Sequence, residues 1–356
     1  MHLPEIVKGI QPVDQEWIAK GRARTAQLVM PTRALGRLHE IAERLCGIQQ
    51  TLQPTISRKA VLVMAADHGI AGEGVSAYPQ EITGAMVRTF LAGGGGINAI
   101  SRQVGADVFV VDIGIMADIG SLQAPNTDKL IVRKVARGTA SFDRGPAMSP
   151  AEAERSILIG FQEASKLFQE GVEIIGTGDM GIGNTTPSAA IGALICELDP
   201  AEMVGRGTGV DDEGLARKLD AVRRGIAINR PKFGDGLDIL SKIGGFEIGG
   251  IAGIVLAGAF HHRPVMIDGF ISTAGALIAD VLCPAVKEYL LAGHCSEEPG
   301  HRHMLNHLHL NPILDLGMRL GEGTGGALAM SIVDGALRVF KEVMTFAEAG
   351  VPGKEC

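Results

Sequence analysis

The hydrophobic and polar positions along the chain follow two patterns, and the first pattern predicts strands. Short apolar runs rich in valine and isoleucine are each followed at once by glycine, aspartate or both. A short apolar run that ends in a turn is typical of a strand buried on both faces of a parallel sheet. We therefore predict strands at residues 60–66, 108–111, 172–175 and 264–267.

Helical periodicity is the second pattern, and it fills the segments between and around the predicted strands. Apolar residues recur at helical spacing from Leu35 to Ile48, and Thr32 is placed to cap the start of that helix. The same spacing is clearest in three later segments, residues 151–169, 213–228 and 326–346. Strands that alternate with helices predict an α/β fold with a Rossmann-like open parallel sheet flanked by helices.

Both ends of the chain are helical and carry no predicted strand. We therefore expect a small helical domain formed from both chain termini, residues 1–55 plus 327–356, and a large α/β catalytic domain at residues 56–326. In an open parallel sheet, ligands bind outside the carboxyl ends of the strands. We expect the acidic residues that follow or end the predicted strands to gather along that edge: Asp67, Asp112, Asp179 and Asp268.

Composition narrows the class of protein. Aromatic residues make up only 4% of the chain and 49 residues are glycine, which suits closely packed parallel α/β architecture. A net charge of -7 without clustered Lys and Arg argues against nucleic-acid binding. The five cysteines lack CxxC spacing, and no apolar segment reaches the roughly 20 residues of a membrane span. We expect a soluble cytoplasmic protein that binds a small molecule.

A first candidate site is the run Gly181-Ile182-Gly183-Asn184-Thr185-Thr186-Pro187, which a small apolar helix follows. Glycines, hydroxyls and an early proline favour a helix N-terminus with free N–H groups, which can bind a phosphate. The run is neither a Walker A motif nor GxGxxG. Taken alone, the pattern fits a phosphate site and an ordinary capping turn equally well.

A second candidate is the glycine-rich turn around Gly207 and the helix after it, which carries Lys218, Arg223 and Arg224. Cations near such a turn would complete a phosphoribosyl pocket. Lys and Arg on an amphipathic helix are, however, more often simply solvated. Both interpretations of Lys218 stay open at this point.

The third candidate is Glu322, a single carboxylate framed by Gly321 and Gly323 before an apolar helix. A flat substrate can approach a glutamate that has so little side-chain cover. Partial burial would raise the pKa of the carboxyl toward a range useful for a general base. The alternative is a glutamate that caps a helix, which the helix dipole also favours.

Two further features of the sequence are less specific. The run Gly93–Gly96 indicates a loop or a helix terminus, with direct ligand contact as the alternative. His303 and His307 are spaced as metal ligands on a helix, but HExxH is absent and no acidic residue is interleaved. We predict no metal site from this histidine group, whose members are His294, His301, His303, His307 and His309.

Together, five ordered motifs resemble the nicotinate-nucleotide:dimethylbenzimidazole phosphoribosyltransferase family over nearly the whole chain. They are Asp67-His68-Gly69-Ile70 with Glu73-Gly74-Val75-Ser76, Gly181 to Pro187, Gly244-Gly245-Phe246-Glu247, Asp268-Gly269-Phe270 and Arg319-Leu320-Gly321-Glu322-Gly323. The resemblance implies transfer of the phosphoribosyl group of nicotinate mononucleotide to 5,6-dimethylbenzimidazole, with inversion at C1. The products would be α-ribazole 5′-phosphate and nicotinate, for assembly of the nucleotide loop of cobalamin.

The resemblance also implies roles for individual residues. Glu322 would be the catalytic base. Asp179, where the family commonly has glutamate, would have a secondary catalytic or a structural role. The phosphoribosyl group would be bound by Gly181, Gly183, Asn184, Thr185, Thr186, Gly207, Lys218, Gly321 and Gly323. The base would lie against Ser76, Tyr78, Pro79, Met86 and Leu320. The resemblance implies no cofactor and no metal, and a homodimer with its active site near the interface.

Three alternatives to this function stay open in the sequence. The same chemistry would serve another acceptor base, such as adenine or a phenolic ring, and Tyr78 and Met86 stand where relatives have smaller or polar residues. A regulatory protein would bind the nucleotide without catalysis, although Glu322 in its glycine frame argues against that. A metal-dependent hydrolase would use the histidine group.

Overall fold

The computed structural model describes residues 1–119 and 125–352, and within these two ranges the main sheet has six parallel strands. The strands are β1 (Lys59–Ala66), β2 (Ala106–Gly114), β3 (Leu130–Val132), β4 (Ile174–Met180), β5 (Val265–Ile267) and β6 (Leu290–Ala292). Their spatial order is β3-β2-β1-β4-β5-β6, and every neighbouring pair is parallel. This is a doubly wound order, which reverses between β1 and β4. The predicted α/β fold with an open parallel sheet is confirmed.

Helices connect the strands and cover both faces of the sheet. In the described part of the chain they are α1 (Leu3–Gly9), α2 (Gln15–Thr25), α3 (Arg37–Gln49), α4 (Ile82–Leu91), α5 (Gly96–Val104), α6 (Pro150–Gln169), α7 (Thr185–Ile195), α8 (Pro200–Met203), α9 (Asp212–Asn229), α10 (Gly236–Ile243), α11 (Phe246–Phe260), α12 (Phe270–Leu282), α13 (His301–His307), α14 (Thr324–Glu342) and α15 (Phe346–Ala349). Short 3₁₀ helices lie at Gly69–Glu73, Thr127–Lys129 and Pro284–Tyr289. Among these helices, we find none with the length and apolar character that crossing a membrane requires.

The core lies on both sides of the sheet, as the alternation along β1 shows. Leu62 and Met64 belong to the larger hydrophobic cluster on one face, whereas Val61 and Val63 belong to the smaller cluster on the other. Successive side chains of a strand point to opposite faces, so a strand covered on both sides is apolar throughout. Because β1 is apolar throughout, the strand over 60–66 can be predicted from the sequence.

The strand β4 differs from its prediction. The apolar run at 172–175 predicts an early strand that ends before Gly176, whereas β4 begins at Ile174 and continues to Met180. Its glycines allow close approach by other elements: a Cβ atom on Gly178 would lie 2.5 Å from the backbone oxygen of Glu322. Glycine within a strand often marks such an approach. The residues that sequence analysis assigns to a loop are therefore strand residues beneath the site.

The start of α3 also differs from its prediction. Thr32 was expected to cap this helix, but residues 31–36 form turns and the helix begins at Arg37 after Gly36. Gly36 has a φ of 50°, which interrupts helical backbone before α3. Leu35, the first member of the periodic pattern, is therefore outside the helix and exposed.

Helices from both ends of the chain contact one another. The helix α3 packs against α2 and also against α14 from the opposite end of the chain. Arg24 Nε donates a hydrogen bond to the carbonyl of Phe340 over 3.0 Å, and Leu28 pairs with Thr345 in an isolated bridge. The domain boundaries at 55/56 and 326/327 stay a prediction, and residues 353–356 of the predicted helical domain lie outside the described residues.

A small second sheet adds strands that the sequence did not predict. It pairs β7 (His294–Ser296) with β8 (Leu314–Met318) in parallel. Each strand is short, and β8 is largely exposed with a glycine inside it, so neither has a distinctive apolar pattern. The strand β7 nevertheless carries residues to the wall of the main cavity.

Candidate active site

A cavity of about 530 Å³ lies at the carboxyl ends of β4 and β5, beside the reversal of strand order. Its volume is within the range of small-molecule sites, and its position is the usual one for ligands in this architecture. Most of the residues proposed from sequence line it. They are Tyr78, Met86, Asp179, Gly181, Asn184, Thr185, Gly207, Leu320, Gly321 and Glu322.

The other proposed residues lie beside or behind the cavity wall. Lys218 and Thr186 are buried behind it, and the Thr186 hydroxyl has no hydrogen-bond partner in the described residues. Ser76 Oγ lies 3.1 Å from Thr208 Oγ1, at the rim. Also outside the lining are Pro79, Gly183 and Gly323.

Glu322 sits in a strained turn that ends at the N-terminus of α14. Its φ is 64°, between Gly321 at 82° and Gly323 at 95°. The left-handed region costs a residue with a Cβ atom about 1–3 kcal/mol, and such residues cluster at functional sites. The conformation directs the glutamate away from α14 and toward α5.

Glu322 is 4% exposed, and its carboxylate is held by the first turn of α5. Its Oε2 accepts a hydrogen bond from the Ile97 N–H over 2.9 Å, and the Gly96 N–H also donates to the carboxylate. Burial raises the pKa of Glu322, while these two N–H groups oppose the shift. Glu322 thus caps a helix, but that helix is α5 and the same side chain lines the cavity.

Asp268 holds the Glu322 turn from the opposite side. Its Oδ1 accepts the Gly326 N–H over 2.8 Å, and its Oδ2 accepts the Gly323 N–H over 3.2 Å. Burial raises the pKa of Asp268, and His294, 3.7 Å away, opposes that shift. Two buried carboxylates therefore bracket the N-terminus of α14.

Asp179 ends β4 and faces the cavity. Its Oδ2 accepts a hydrogen bond from Asn184 Nδ2 over 3.0 Å. Burial, with repulsion from Asp268 as the next cause, raises the pKa of Asp179 to about 8. A large fraction of this carboxyl is therefore protonated at neutral pH.

Lys218 is buried under the N-terminus of α7, so the interpretation of its side chain as solvated is wrong. Its Nζ donates to Thr185 Oγ1 over 2.9 Å and to the Gly205 carbonyl over 2.8 Å. Burial lowers the pKa of Lys218 to about 8. By contrast, Arg223 and Arg224 form ion pairs with Asp199 and Asp143.

The glycine-rich turn at Gly207 completes this end of the cavity. The Gly207 N–H donates to Glu298 Oε1 over 2.8 Å, and Glu298 Oε2 is buried without a partner among the described residues. A lysine, a helix N-terminus and a loop N–H thus converge on one corner. Such a combination is suited to a phosphate, which would replace Glu298 at the Gly207 N–H.

Several residues of the cavity wall were not predicted from the sequence. Asp268 was expected at the edge of the sheet but was not proposed as a site residue, although it begins one of the five motifs. Glu298 gave no signal, because it follows β7, a strand that the pattern did not predict. The other missed lining residues include Ile82, Met180, Ile182, Thr208, Phe270, Ile271, His294, Ser296 and Arg319.

All four strand-end aspartates lie at the carboxyl edge of the sheet, as expected, but the cavity is lined by two of them. Asp179 and Asp268 line the cavity. Asp67 and Asp112 instead fix the segment after β2, because Asp67 Oδ2 accepts the Met116 N–H over 2.8 Å and Asp112 Oδ1 accepts the Ile115 N–H over 2.9 Å. Strand ends place carboxylates at one edge but do not determine which of them face the ligand.

His68 and Glu247, from two of the five motifs, form a buried pair behind the cavity. His68 Nε2 lies 2.7 Å from Glu247 Oε1, and both side chains are almost fully buried. The ring packs close to Gly181, where a Cβ atom would lie 3.2 Å from His68 Nε2. The pair supports the wall from behind.

Of the histidine group, His294 and His301 lie together in the interior, with ring centroids 6.2 Å apart. His301 is buried, with Nδ1 accepting the Ser296 N–H over 2.8 Å and Nε2 lying 2.9 Å from Thr273 Oγ1. Burial lowers its pKa to about 3. His303 and His307 are exposed. In residues 1–119 and 125–352, no three His, Cys, Asp or Glu side chains are grouped to hold a metal ion.

Comparison with known proteins identifies the family. The profile of a family described as Phosphoribosyltransferase matches residues 10–351. The chain is 50% identical over 349 residues to the nicotinate-nucleotide–dimethylbenzimidazole phosphoribosyltransferase of Geobacter sulfurreducens, with 98% of each chain covered. The chain belongs to the nicotinate-nucleotide–dimethylbenzimidazole phosphoribosyltransferase family. The resemblance predicted from the five motifs is confirmed.

Other members of this family agree in sequence and in structure. A relative of the same name from Roseiflexus sp. (strain RS-1) is 49% identical over 352 residues, covering 99% of this chain and 98% of its own. A crystal structure of the family enzyme from Thermus thermophilus superposes with a TM-score of 0.89 at 45% identity. That match covers 96% of this chain and the whole of the other.

Proposed function

We propose that the chain transfers the phosphoribosyl group of nicotinate mononucleotide to 5,6-dimethylbenzimidazole, for assembly of the nucleotide loop of cobalamin. Its relatives carry the name of this reaction. The observation that carries the proposal within the chain is the buried Glu322 carboxylate in a cavity that also contains an anion-binding corner. A base and a phosphate site in one cavity suit a phosphoribosyl transfer.

The 5′-phosphate of the donor would occupy the corner near Lys218, Thr185 and Gly207. Lys218 supplies charge through its contact with Thr185, and the positive end of the α7 helix dipole favours an anion. The ribose would extend toward Asp179 and Gly321. The remaining residues proposed for this half of the site are Gly181, Gly183, Asn184, Thr186 and Gly323.

The acceptor base would lie between Glu322 and the apolar side chains at the mouth of the cavity. Tyr78, Met86 and Leu320 line this part, and the side chains of Tyr78 and Leu320 are exposed. A flat aromatic base would cover them. Ser76 and Pro79 lie on the same segment as Tyr78 and are proposed to shape its conformation.

The chemistry is a single displacement at C1 of the ribose. One nitrogen of the benzimidazole forms the new bond to C1 while the bond from C1 to the pyridinium nitrogen breaks. The electron pair of that bond neutralises the pyridinium and releases nicotinate. The other ring nitrogen loses its proton to Glu322, so no positive charge accumulates on the acceptor. Inversion of the β donor gives α-ribazole 5′-phosphate.

The acidic wall of the cavity would stabilise the transition state. The ribose gains oxocarbenium character as the leaving group departs, and fixed negative charge nearby is favourable in a water-poor site. Asp268 lines the cavity and would contribute to this effect, as would Asp179 to the extent that it is ionised. Because the pyridinium carries its own positive charge, the leaving group needs no metal activation.

We further propose a cytoplasmic homodimer with the active site near its interface. Apolar side chains are exposed around the mouth of the cavity, including Tyr78 and Leu320. Exposed apolar groups that lie together often mark a contact surface. The molar mass in solution, measured by light scattering, tests this part of the proposal.

The proposed reaction is tested by incubating the protein with nicotinate mononucleotide and one of three acceptors: 5,6-dimethylbenzimidazole, adenine or a phenol. Mass spectrometry identifies the product, and NMR of the ribose C1 proton gives its configuration. We expect α-ribazole 5′-phosphate as the preferred product, also with a chelator present. Preference for another acceptor would reassign the substrate, and binding without turnover would overturn the enzymatic function.

A further inference from the structure

The function proposed above assigns no role to the run Gly93–Gly96. This run ends at the first turn of α5, which contacts the carboxylate of Glu322. Gly95 precedes α5, and Gly96 and Ile97 are the first two residues of that helix. The Ile97 N–H donates to Glu322 Oε2 over 2.9 Å, and the Gly96 N–H donates to the same carboxylate. The sequence predicts a loop or a helix terminus for this run, and the run does end at the N-terminus of α5, where its backbone contacts a side chain of the site.

Gly96 is the position of this run where a side chain would disturb the site. A Cβ atom there would lie 2.8 Å from Leu320 Cδ2 and 3.2 Å from Glu322 Oε2. A Cβ atom on Gly94 would meet only Thr89, with its nearest atom at 3.5 Å, which is an ordinary contact. The absence of a side chain at position 96 therefore lets the first turn of α5 approach both residues.

We propose that Gly96 and the N-terminus of α5 are a positioning element for the general base. The element orients the carboxylate of Glu322, through the Ile97 N–H at Oε2, so that the group can accept the proton of the benzimidazole. Gly96 also lies close to Leu320, so the same helix start borders both the base and the acceptor pocket. This inference rests on the function proposed above, in which Glu322 is the base.

The same contact sets the proton affinity of Glu322. Burial raises the pKa of the carboxyl, and the N–H groups at the N-terminus of α5 lower it by favouring the ionised form. If the carboxylate were displaced from α5, these N–H groups would no longer oppose the rise in pKa that burial causes. Less of the base would then be ionised at neutral pH, in addition to the loss of its orientation.

The test compares Gly96→Ala with Gly94→Ala, which adds the same methyl group two residues away. We expect Gly96→Ala to lower kcat at least about 10-fold and to move the acidic limb of the kcat–pH profile to higher pH. KM for nicotinate mononucleotide should stay within about 2-fold. Gly94→Ala should retain the wild-type kcat and profile. A Gly96→Ala protein that behaves like Gly94→Ala would overturn the inference.

A second comparison guards against a simple folding defect. Truncating Leu320 removes the tighter of the two clashes, so Gly96→Ala/Leu320→Ala is compared with Leu320→Ala alone. The added methyl should still lower kcat and shift the pH limb. Equal kcat and pH profiles in these two proteins would contradict the inference.

A double-mutant cycle with Glu322→Gln separates positioning from general damage. If Gly96 acts through Glu322, then Gly96→Ala should cause little further loss of kcat in the Glu322→Gln background. An undiminished loss there would overturn the inference. Failure of the proposed function is recognised separately, because the wild-type protein would then form no α-ribazole 5′-phosphate.

Discussion

Lys218 Nζ donates a hydrogen bond to Thr185 Oγ1 over 2.9 Å, and this contact joins the middle of α9 to the first residue of α7. The lysine is fully buried, so its charge acts on the cavity through a threonine that lines it. A buried amine with two oxygen contacts is well suited to reinforce a phosphate site. This arrangement gives the first prediction.

Replacing Lys218 with methionine should raise KM for nicotinate mononucleotide by roughly 10- to 100-fold, because hydrogen bonds to charged groups contribute about 1.5–3 kcal/mol. Steady-state kinetics with each substrate varied in turn measures the effect. KM for the acceptor base should change little. Lys166→Met, which alters an exposed lysine on α6, is the matched control.

The pKa of Lys218 gives this prediction a pH dependence. With a pKa lowered to about 8, the amine loses its charge as the pH rises above 8. KM for nicotinate mononucleotide should therefore rise above pH 8 in the wild type and stay level in Lys218→Met. The same rise in both proteins would show that another group is responsible.

Asp179 gives a prediction about how the free energy of unfolding changes with pH. Because folding raises its pKa from 3.8 to about 8, the folded state retains a proton that the unfolded state loses. Its contribution to the free energy of unfolding is fully present below pH 4 and is lost as the pH rises toward 8. Asp179→Asn removes this dependence while keeping an oxygen that can accept the Asn184 bond.

Urea unfolding at several pH values tests this effect. Between pH 5 and pH 8, the stability of Asp179→Asn relative to wild type should increase by at least about 1.4 kcal/mol, the value of one pKa unit. Asp128→Asn, at an exposed position, should show no such trend. A relative stability of Asp179→Asn that is level across this range would contradict the assigned pKa.

Leu320 and Leu316 are a matched pair for testing the acceptor site. They are 61% and 60% exposed, but only Leu320 lines the cavity. Leu320→Ala should raise KM for 5,6-dimethylbenzimidazole about 10-fold, because burying a leucine against a ligand contributes about 1.5 kcal/mol or more. KM for nicotinate mononucleotide should be unchanged. Leu316→Ala should change neither value, and equal effects of both substitutions would argue against the proposed base site.

Sequence patterns predicted the central strands because burial on both faces makes them apolar throughout. The edge strands β3 and β6 are as short as β5 but lack its pattern, because β3 is followed by Arg133 instead of glycine or aspartate and β6 contains no valine or isoleucine. The end of β4 was misjudged because Gly176 and Gly178 look like a loop, although they serve the close approach of the Glu322 turn. Local pattern thus failed where tertiary contact decides the structure.

The residues of the candidate site also divide into those that the sequence predicts and those that only tertiary structure reveals. Residues carried by ordered motifs, such as Glu322 and Thr185, are found at the cavity. Glu298 and Ser296 are distant from them in sequence and reach the wall only through β7. Lys218 was ambiguous because an amphipathic helix does not reveal which of its cations is buried.

The central claim is that Glu322 accepts the proton of the acceptor base. The most direct measurement is the rate of α-ribazole 5′-phosphate formation by wild type and Glu322→Gln, at saturating substrates, across a range of pH. The account predicts that the wild-type rate rises with pH to a plateau, since burial raises the pKa of Glu322. Glu322→Gln should be slower by about 100-fold or more and level over that range. A Glu322→Gln protein within several-fold of wild type, with the same pH profile, would contradict the account.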